Sequence, residues 1–566
     1  MTGRRADDPE KYGVPTHHTP VLISGGGPSG LFLALDLAHR GVSSVVVEPR
    51  ETVDDTRPRA KTTSARTMTH LRRLGLADRL RAAAPLPVEY SQDVIFCTSL
   101  VGHEVARFAG AFQLSADRYP WQPECGQQVP QPVVEKTLRH AATEHPAVTL
   151  ELGSRVTGFV AARSPGSENL DDTEGFRVSV SGPDGVREIT ADFLIGADGG
   201  WSVVRSGLGI EYEGSSAARS NLNILFRAPD LADVVRLDPA VQYWVVGSGV
   251  SGMVGPLDLD GTWWAIVQGV DGVTGDLGPE AMLHRLIGRR IEVDVIATDA
   301  WTARMLLAPS YGRGRAFLVG DAAHLNPPWG GHGFNTCIGD AANLAWKIAA
   351  VVDGWAGPAL LESYGAERRP VAERTIRDAA GNGSALAVDF ARPGLDRNDA
   401  AGDRARDELG RALAVKRAEF HSLGLVLGYR YGDSPAVSAE PGSDIAEHPV
   451  DYTPSARPGH LLPHWWSADG SSGYDLLGPG FTLLISDRVD WTGEFLDRAA
   501  DVPVLVRRIA DDVLETRCGA AAVLVRPDQH VAWRGADPAR AVAALLRAAG
   551  LSSDRVEEVA GHAVVS

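Results

Sequence analysis

The chain has 566 residues, 44% hydrophobic and 22% charged, with a formal net charge of −17 at pH 7; this allows about two to four domains and a large core. The acidic balance argues against nucleic acid or an acidic membrane as partner, because both need a positive surface. Cys97, Cys125, Cys337 and Cys518 lie far apart with no CxxC, which argues against a disulfide framework or a zinc site and fits a reducing cytoplasm.

Residues 1–20 are polar and charged and read as a disordered leader, not a signal peptide. No run of about 18 apolar residues is present to span a bilayer. Val21-Leu22-Ile23-Ser24 then reads as a buried strand, and 31–40 as a helix closed by Gly41. Between them Gly25, Gly27 and Gly30 stand in G-x-G-x-x-G order, with Pro28 and Ser29 inside the turn. Gly25 permits the tight turn, Gly27 lets the backbone approach a pyrophosphate, and Gly30 lets helix and strand pack closely. The helix start adds free N–H groups and a partial positive charge. A second apolar run, Val45-Val46-Val47, ends at Glu48, where a carboxylate can accept adenosine ribose hydroxyls and repel a 2′-phosphate. This suits FAD or NAD better than NADP. The alternative is a glycine-rich loop without a ligand.

Residues 50–66 form a loop rich in Arg, Thr and Asp; 67–84 are expected to be one helix with Arg72 and Arg73 on a solvated face. A mixed strand-and-loop stretch at 94–112 precedes a helix at 133–143. An exposed hairpin tip at 164–175 precedes strands at 177–181 and 192–195. Short strands separated by Gly and Asp turns, such as 241–246 and 262–267, make 210–300 read as an antiparallel sheet. Trp263 and Trp264 read as sheet core, with one of the pair left to face substrate. A buried strand at 316–319, a long helix at 340–352 and a helical stretch at 396–421 follow. Pro454, Pro458 and Pro463 mark 452–466 as a linker. The last block has strands at 481–485, 504–506, 521–525 and 530–534, and a helix with Asp537 at its N-cap and Pro538 in its first turn. This pattern suggests a small thioredoxin-like domain, structural in role because it lacks the CxxC of thiol redox chemistry.

Two further motifs match the first. Phe193-Leu194-Ile195-Gly196-Ala197-Asp198-Gly199 is a strand ending in Asp-Gly, followed by Ser202 and Arg205. Phe317-Leu318-Val319-Gly320-Asp321 is a strand ending in Gly-Asp, followed by Pro327-Pro328 and the run Gly330-Gly331-His332-Gly333-Phe334-Asn335. In this order and spacing, and with LLESYGAERRP at 360–370, the chain resembles the class A flavoprotein aromatic hydroxylases, the para-hydroxybenzoate and phenol hydroxylase family. The tail and the run 423–431 resemble its chlorophenol and polyketide hydroxylase branch.

The resemblance implies an α/β fold. It has a Rossmann-like FAD-binding domain (21–90, 125–209 and 301–395) and an inserted mixed β-sheet substrate domain (91–124 and 210–300). A helical and linker segment (396–466) and a C-terminal thioredoxin-like domain (467–566) complete it. Asp321 is expected on a ribityl hydroxyl of FAD, and Asp198 and Gly199 near the pyrophosphate and the path of the nicotinamide donor. Arg59, Gln131 and Val156 are expected against FAD. Backbone N–H groups from Gly331 to Asn335, including Gly333 and Phe334, are expected to face flavin N1 and O2, where reduced flavin carries negative charge. Pro328 is expected beside the ring where oxygen adds. Cys337 and Thr69 depart from the family's usual glycine and glutamate; Cys337 reads as a small buried residue.

Catalytic candidates are Pro328, His332 and Tyr243, with Asp54 and Asp55 near the substrate; His324 reads as structural. His460 and His464 are separated by Pro463, so no metal site is expected. The implied reaction is an FAD-dependent, NAD(P)H-using monooxygenation of a phenolic, quinone or polyketide-like substrate through a flavin C4a-hydroperoxide. With the G-x-G-x-x-G site taken by FAD, the donor is expected to bind transiently near Asp198 and the arginines Arg57, Arg59 and Arg66. Those guanidinium groups favour NADPH over NADH. Baeyer–Villiger or epoxidising outcomes and a non-catalytic flavin-binding redox sensor stay open. A flavin-dependent halogenase is disfavoured because Trp263-Trp264-Ala265-Ile266-Val267 does not supply Trp-x-Trp-x-Ile-Pro. The expected partners are an aromatic small molecule, molecular oxygen and NAD(P)H, with a homodimer left open and a cytoplasmic location.

Overall fold

Val21, Leu22 and Ile23 are fully buried because their strand lies inside a sheet, where near-continuous apolar runs are needed. In the computed structural model, which describes residues 17–163, 173–247, 250–270, 277–383, 387–442, 445–499 and 501–551, that strand spans His17–Ser24. It pairs in parallel with Ser44–Glu48 on one side and Gly185–Gly196 on the other. Val148–Leu152 extends the sheet at one edge and Ala316–Leu318 at the other, both in parallel register. Arg155–Arg163 and Thr173–Gly182 add an antiparallel flap. The Pro28–His39 and His332–Val352 helices pack against each other beside this sheet. The strand takes in His17 to Pro20, which had been expected in the leader. The rest of the leader and most of the hairpin tip, 1–16 and 164–172, lie outside the described residues.

The helix expected at 67–84 is two helices, Ala65–Arg73 and Ala77–Ala83, parted at Gly75 with φ +70°. Arg72 is on the solvated face, but Arg73 is not. Arg73 donates to both oxygens of Asp36 at 2.7 and 2.6 Å, and Arg72 pairs with Glu124 and Asp475. Asp36 is wholly buried, and a buried carboxylate must be paired. Burial works to raise its carboxyl, but Arg73 and Arg40 outweigh it and hold the group below the ordinary carboxylate range.

A second sheet runs in the order His324–Leu325, Asp294–Leu307, Glu213–Arg227, Thr262–Gln268, Gly252–Pro256, Gln242–Val245, Val94–Cys97, Glu104–Phe108. Pairing among the 210–300 strands is antiparallel; the parallel contact is between Gln242–Val245 and Val94–Cys97. Strand alternation gives the sheet two faces. One carries Phe96, Trp244, Met253, Trp264 and Ile266. The other carries Tyr243, Val254, Trp263 and Ala265, packed on Leu283, Leu286 and Ile287 of the Pro279–Ile287 helix.

The tail is a four-stranded sheet ordered Val504–Ile509, Phe481–Ser486, Ala522–Val525, Val531–Gly535. Its first pair is parallel and the others antiparallel. With helices Thr492–Arg498, Asp511–Cys518 and Pro538–Ala548 it has thioredoxin-like topology. Segment 452–466 is no free linker: Ala456, Leu461, Leu462 and Trp465 are buried, and Leu461 bridges to His530. Its prolines limit helix formation, but its apolar side chains seal the tail. Phe481 and Leu545 share a core with Trp346 and Leu360 of the main body. Among the described residues no helix is long and apolar enough to cross a membrane.

Candidate active site

The glycine turn is held by close backbone contacts. A Cβ on Gly25, at φ +108°, would lie 2.3 Å from the Ala197 carbonyl oxygen, and one on Gly30 2.0 Å from that of Gly25. A Cβ on Gly27 would meet nothing within 4 Å. Gly27 opens on a cavity of about 1090 Å³, together with Gly25, Pro28 and Ser29. Gly27 is the N-cap of the Pro28–His39 helix, so the positive end of that helix borders the same space.

Glu48 borders it too. Its Oε2 accepts the Gly26 N–H at 2.7 Å and its Oε1 the Arg50 Nε at 2.6 Å. Further along the wall stand Arg59, Gln131, Val156, Asp198 and Gly199. Asp198 Oδ2 accepts the Val203 N–H at 2.9 Å and the Ser24 hydroxyl at 3.2 Å. Its buried Oδ1 has no hydrogen-bond partner among the described residues. Burial raises the Asp198 carboxyl above its ordinary value. Asp321 follows the Ala316–Leu318 strand and also faces the cavity. Burial raises its carboxyl, opposed by His324 and Arg59. The Cys337 thiol lies 3.6 Å from Asp321 Oδ1. Pro328, Gly331, Gly333 and Phe334 complete this side. Asn335 does not turn its amide to the cavity: Nδ2 donates to the Thr62 and Gly331 carbonyls at 3.0 and 2.7 Å, and Oδ1 accepts the Ser64 N–H. It ties the helix start to the 62–64 segment.

These residues fit a flavin dinucleotide. Of the three motif glycines Gly27 alone is open, carboxylates stand along the wall, and two helix starts border one space. The Asp198 carboxylate stands in that wall, held by the Val203 N–H and the Ser24 hydroxyl.

Two catalytic expectations fail. The Tyr243 hydroxyl donates to the Asp238 carbonyl at 2.9 Å and accepts the Ala240 N–H at 3.0 Å, on the face of the sheet away from the cavity. Its neighbour Gln242 lines the cavity instead, because adjacent strand residues point to opposite faces. His332 is buried behind the glycines; a Cβ on Gly330 would lie 2.5 Å from its Nε2. Burial pushes its imidazole down to about 4, so it is neutral and turned from the lining. Arg66 is also misplaced by sequence reasoning. It is buried, bonding the Gln529 side chain and the Asp528 carbonyl at 2.8 Å. Arg57 pairs with Asp299 at 2.6 Å, and both line the cavity. Asp54 lines it as well, whereas Asp55 pairs with Lys136 outside it. His324 is structural: its Nε2 lies 2.7 Å from Asp340 Oδ2, both wholly buried. His464 is occupied by the Pro120 carbonyl and Ser472 hydroxyl. Among the described residues no His, Cys, Asp and Glu group could hold a metal.

The opposite wall is aromatic and amide-rich: Phe112, Asn223, Gln242, Met253, Trp264 and Trp301. Of the tryptophan pair, Trp264 faces the cavity and Trp263 the sheet core. Sequence reasoning missed Lys61, Gln242 and Glu419, all in the lining. A strand-parity count from Tyr243 would have found Gln242; nothing local marks the other two.

A family model described as "FAD binding domain" matches residues 18–379, and one described as "Aromatic-ring hydroxylase, C-terminal" matches residues 455–551. The chain is 32% identical to 2,4-dichlorophenol 6-monooxygenase of Cupriavidus pinatubonensis, over 95% of this chain and 98% of that protein. It is 31% identical to aklavinone 12-hydroxylase RdmE of Streptomyces purpurascens, over 94% and 98%. The structure of RebC soaked with chromopyrrolic acid, with bound 7-carboxy-K252c, superimposes with a TM-score of 0.86 at 34% identity, covering 95% of this chain and 100% of that one.

Proposed function

The chain belongs to the class A flavoprotein aromatic hydroxylases and is an FAD-dependent aromatic-ring monooxygenase; from that premise we propose that it takes electrons from NAD(P)H and hydroxylates a phenolic, quinone or polyketide-like ring. The observation that carries this reading is one cavity with two unlike walls: the glycine turn, Glu48, Asp198 and Asp321 on one side, Gln242, Trp264 and Trp301 on the other. Bound FAD would accept a hydride from the nicotinamide and deliver one atom of molecular oxygen to the ring, the other leaving as water.

The chain's own residues bind, orient and exclude water. Gly27 and the start of the Pro28–His39 helix would take the pyrophosphate. Glu48 would take ribose hydroxyls with its remaining lone pairs, and Asp321 a ribityl hydroxyl. Backbone N–H groups at the start of the His332–Val352 helix would stabilise negative charge at the flavin's N1 and O2 edge. The aromatic wall would hold the substrate ring and keep bulk water out. Arg57 and Arg59 at the cavity favour NADPH over NADH through paired N–H donors to a 2′-phosphate. Trp201, 84% exposed beside the cavity and near Arg304, offers a stacking face for the donor. The test is NADPH oxidation by the purified holoenzyme across a panel of phenols, quinones and aromatic polyketides. Acceleration with matching oxygenated product supports the reading. Uniform indifference to every aromatic compound would overturn it in favour of a non-catalytic flavin protein.

A further inference from the structure

Lys61 is a cation that no carboxylate among the described residues pairs with. Its Nζ donates to the Arg59 carbonyl at 2.9 Å, within a turn where Arg59 itself takes φ +43°. The same Nζ lies 4.2 Å from the centre of the Trp264 ring. Of the lining carboxylates, Asp299 pairs with Arg57, Glu48 with Arg50 and Glu419 with Lys416, and none of those described pairs with Lys61. Lys61 has no such partner, and burial alone pushes its amine down to about 8. A cation held in a protein wall without a counter-charge is costly unless a ligand supplies the charge.

The direction of the side chain says which ligand. Trp264 sits on the second sheet, in the Thr262–Gln268 strand, and none of the glycine-turn, Glu48, Asp198 or Asp321 residues belongs to that sheet. The ammonium is therefore aimed across the cavity at the aromatic wall. That wall carries the Gln242 and Asn223 side-chain amides. The Trp264 Nε1 is buried against Gly255 and offers the cavity no donor, so the reachable donors are amides. Gln242 Nε2 is satisfied only by the Met253 sulfur at 2.9 Å, a weak acceptor. Trp301 Nε1 donates to Asn223 Oδ1 at 2.8 Å, which turns the Asn223 oxygen inward to the protein. Donors beside an unpaired ammonium suit oxygen anions and reject cations.

We propose that Lys61 is a specificity residue that anchors a carboxylate on the aromatic substrate, so that the enzyme acts on ring systems carrying an acid group. The assignment rests on the monooxygenase reading above. An ionised ring hydroxyl would offer the same oxygen anion, and the experiment separates the two. The FAD-loaded enzyme is titrated by equilibrium dialysis with anthraquinone-2-carboxylate, its methyl ester and 2-hydroxyanthraquinone. The expected result is binding of the acid roughly tenfold tighter than the ester and the hydroxy compound. Lys61→Met should bring acid and ester to within about twofold, and Lys61→Arg should keep most of the preference. Flavin content should stay unchanged in both variants. Equal binding of acid and ester by the native enzyme overturns the proposal, as does an acid preference that survives in Lys61→Met. Tighter binding of the hydroxy compound overturns the carboxylate assignment. Loss of FAD from Lys61→Met assigns the amine to the cofactor and overturns it as well. The monooxygenase reading fails by a different measurement, the absence of any aromatic stimulation of NADPH oxidation.

Discussion

Arg526 of the tail donates to both oxygens of Glu367 in the Ala359–Gly383 helix, at 2.6 and 2.8 Å, and neither side chain touches solvent. Lys347 and Asn343, from the helix whose start borders the cavity, each donate to the same carboxylate at 2.7 Å. Arg526 also bonds Asp528, which accepts from Asn343 at 3.1 Å. The thioredoxin-like tail is thus joined to the cofactor-side helix through one buried charge network. Truncating Arg526 strands the Glu367 charge, so Arg526→Met should destabilise the protein by about 3–5 kcal/mol. Adding Glu367→Gln to that variant should recover part of the loss. Denaturant unfolding of the single and double variants checks both; equal stability of Arg526→Met and the native protein would refute the claim.

The same carboxylate makes stability fall in acid. Burial works to raise Glu367, but Arg526 and Lys347 outweigh it and hold it at about 2. An unfolded glutamate titrates near about 4.3. The folded form therefore holds fewer protons, and this stabilisation is fully present above the unfolded value and lost as pH falls through about 2. Unfolding free energy should decline over that window, and less so in Glu367→Gln. Parallel pH profiles for the two proteins would contradict the assignment.

Asp321 stands on the cofactor side of the cavity with its carboxyl free of any arginine or lysine bond. If it receives a ribityl hydroxyl, Asp321→Ala removes a charge-assisted bond of roughly 1.5–3 kcal/mol. The purified variant should carry little flavin absorbance. Full FAD retention would take Asp321 out of the site.

Arg57, in the loop before the Ala65–Arg73 helix, and Arg66, in that helix, should behave differently. Arg57 lines the cavity and is half-exposed, paired with Asp299; Arg57→Ala should raise the NADPH concentration needed for half-maximal flavin reduction while leaving FAD bound. Arg66 is locked to Gln529 and Asp528 of the tail; Arg66→Ala should lower stability without changing the choice between NADPH and NADH. Stopped-flow reduction with each nucleotide decides it, and faster reduction by NADH would sink the NADPH preference.

Cys518, the tail's single cysteine, is buried, and burial pushes its thiol up to about 12. The thiol is the unreactive form. In the native full-length protein it should resist thiol reagents until unfolding, and the protein should not reduce insulin disulfides. Fast labelling of Cys518 under native conditions would contradict its placement.

Local stereochemistry is what the sequence by itself determined. A turn in which Gly25 and Gly30 have no room for a Cβ needs glycine at those positions, and a central parallel strand needs Val21-Leu22-Ile23; both are readable from neighbours a few residues apart. The cap of the last helix is equally local, with Asp537 accepting the Ala539 and Arg540 N–H groups. The family resemblance rested on such short motifs and was legible for that reason. What the tertiary structure decided were partners and faces. Tyr243 and Gln242 differ by one position, and only the sheet's packing sets which one meets the cavity. Arg66 finds Gln529, 463 residues away, and Arg73 finds Asp36 in another helix; as sequence the first read as a contact for the nicotinamide donor and the second as a solvent-facing charge. Lys61 gives no local signal at all, since its meaning depends on Trp264 lying opposite and on no described carboxylate pairing with it. Backbone constraints act over a few bonds and leave a pattern in the sequence, whereas charge pairing and cavity lining act through space and appear only when the chain has folded.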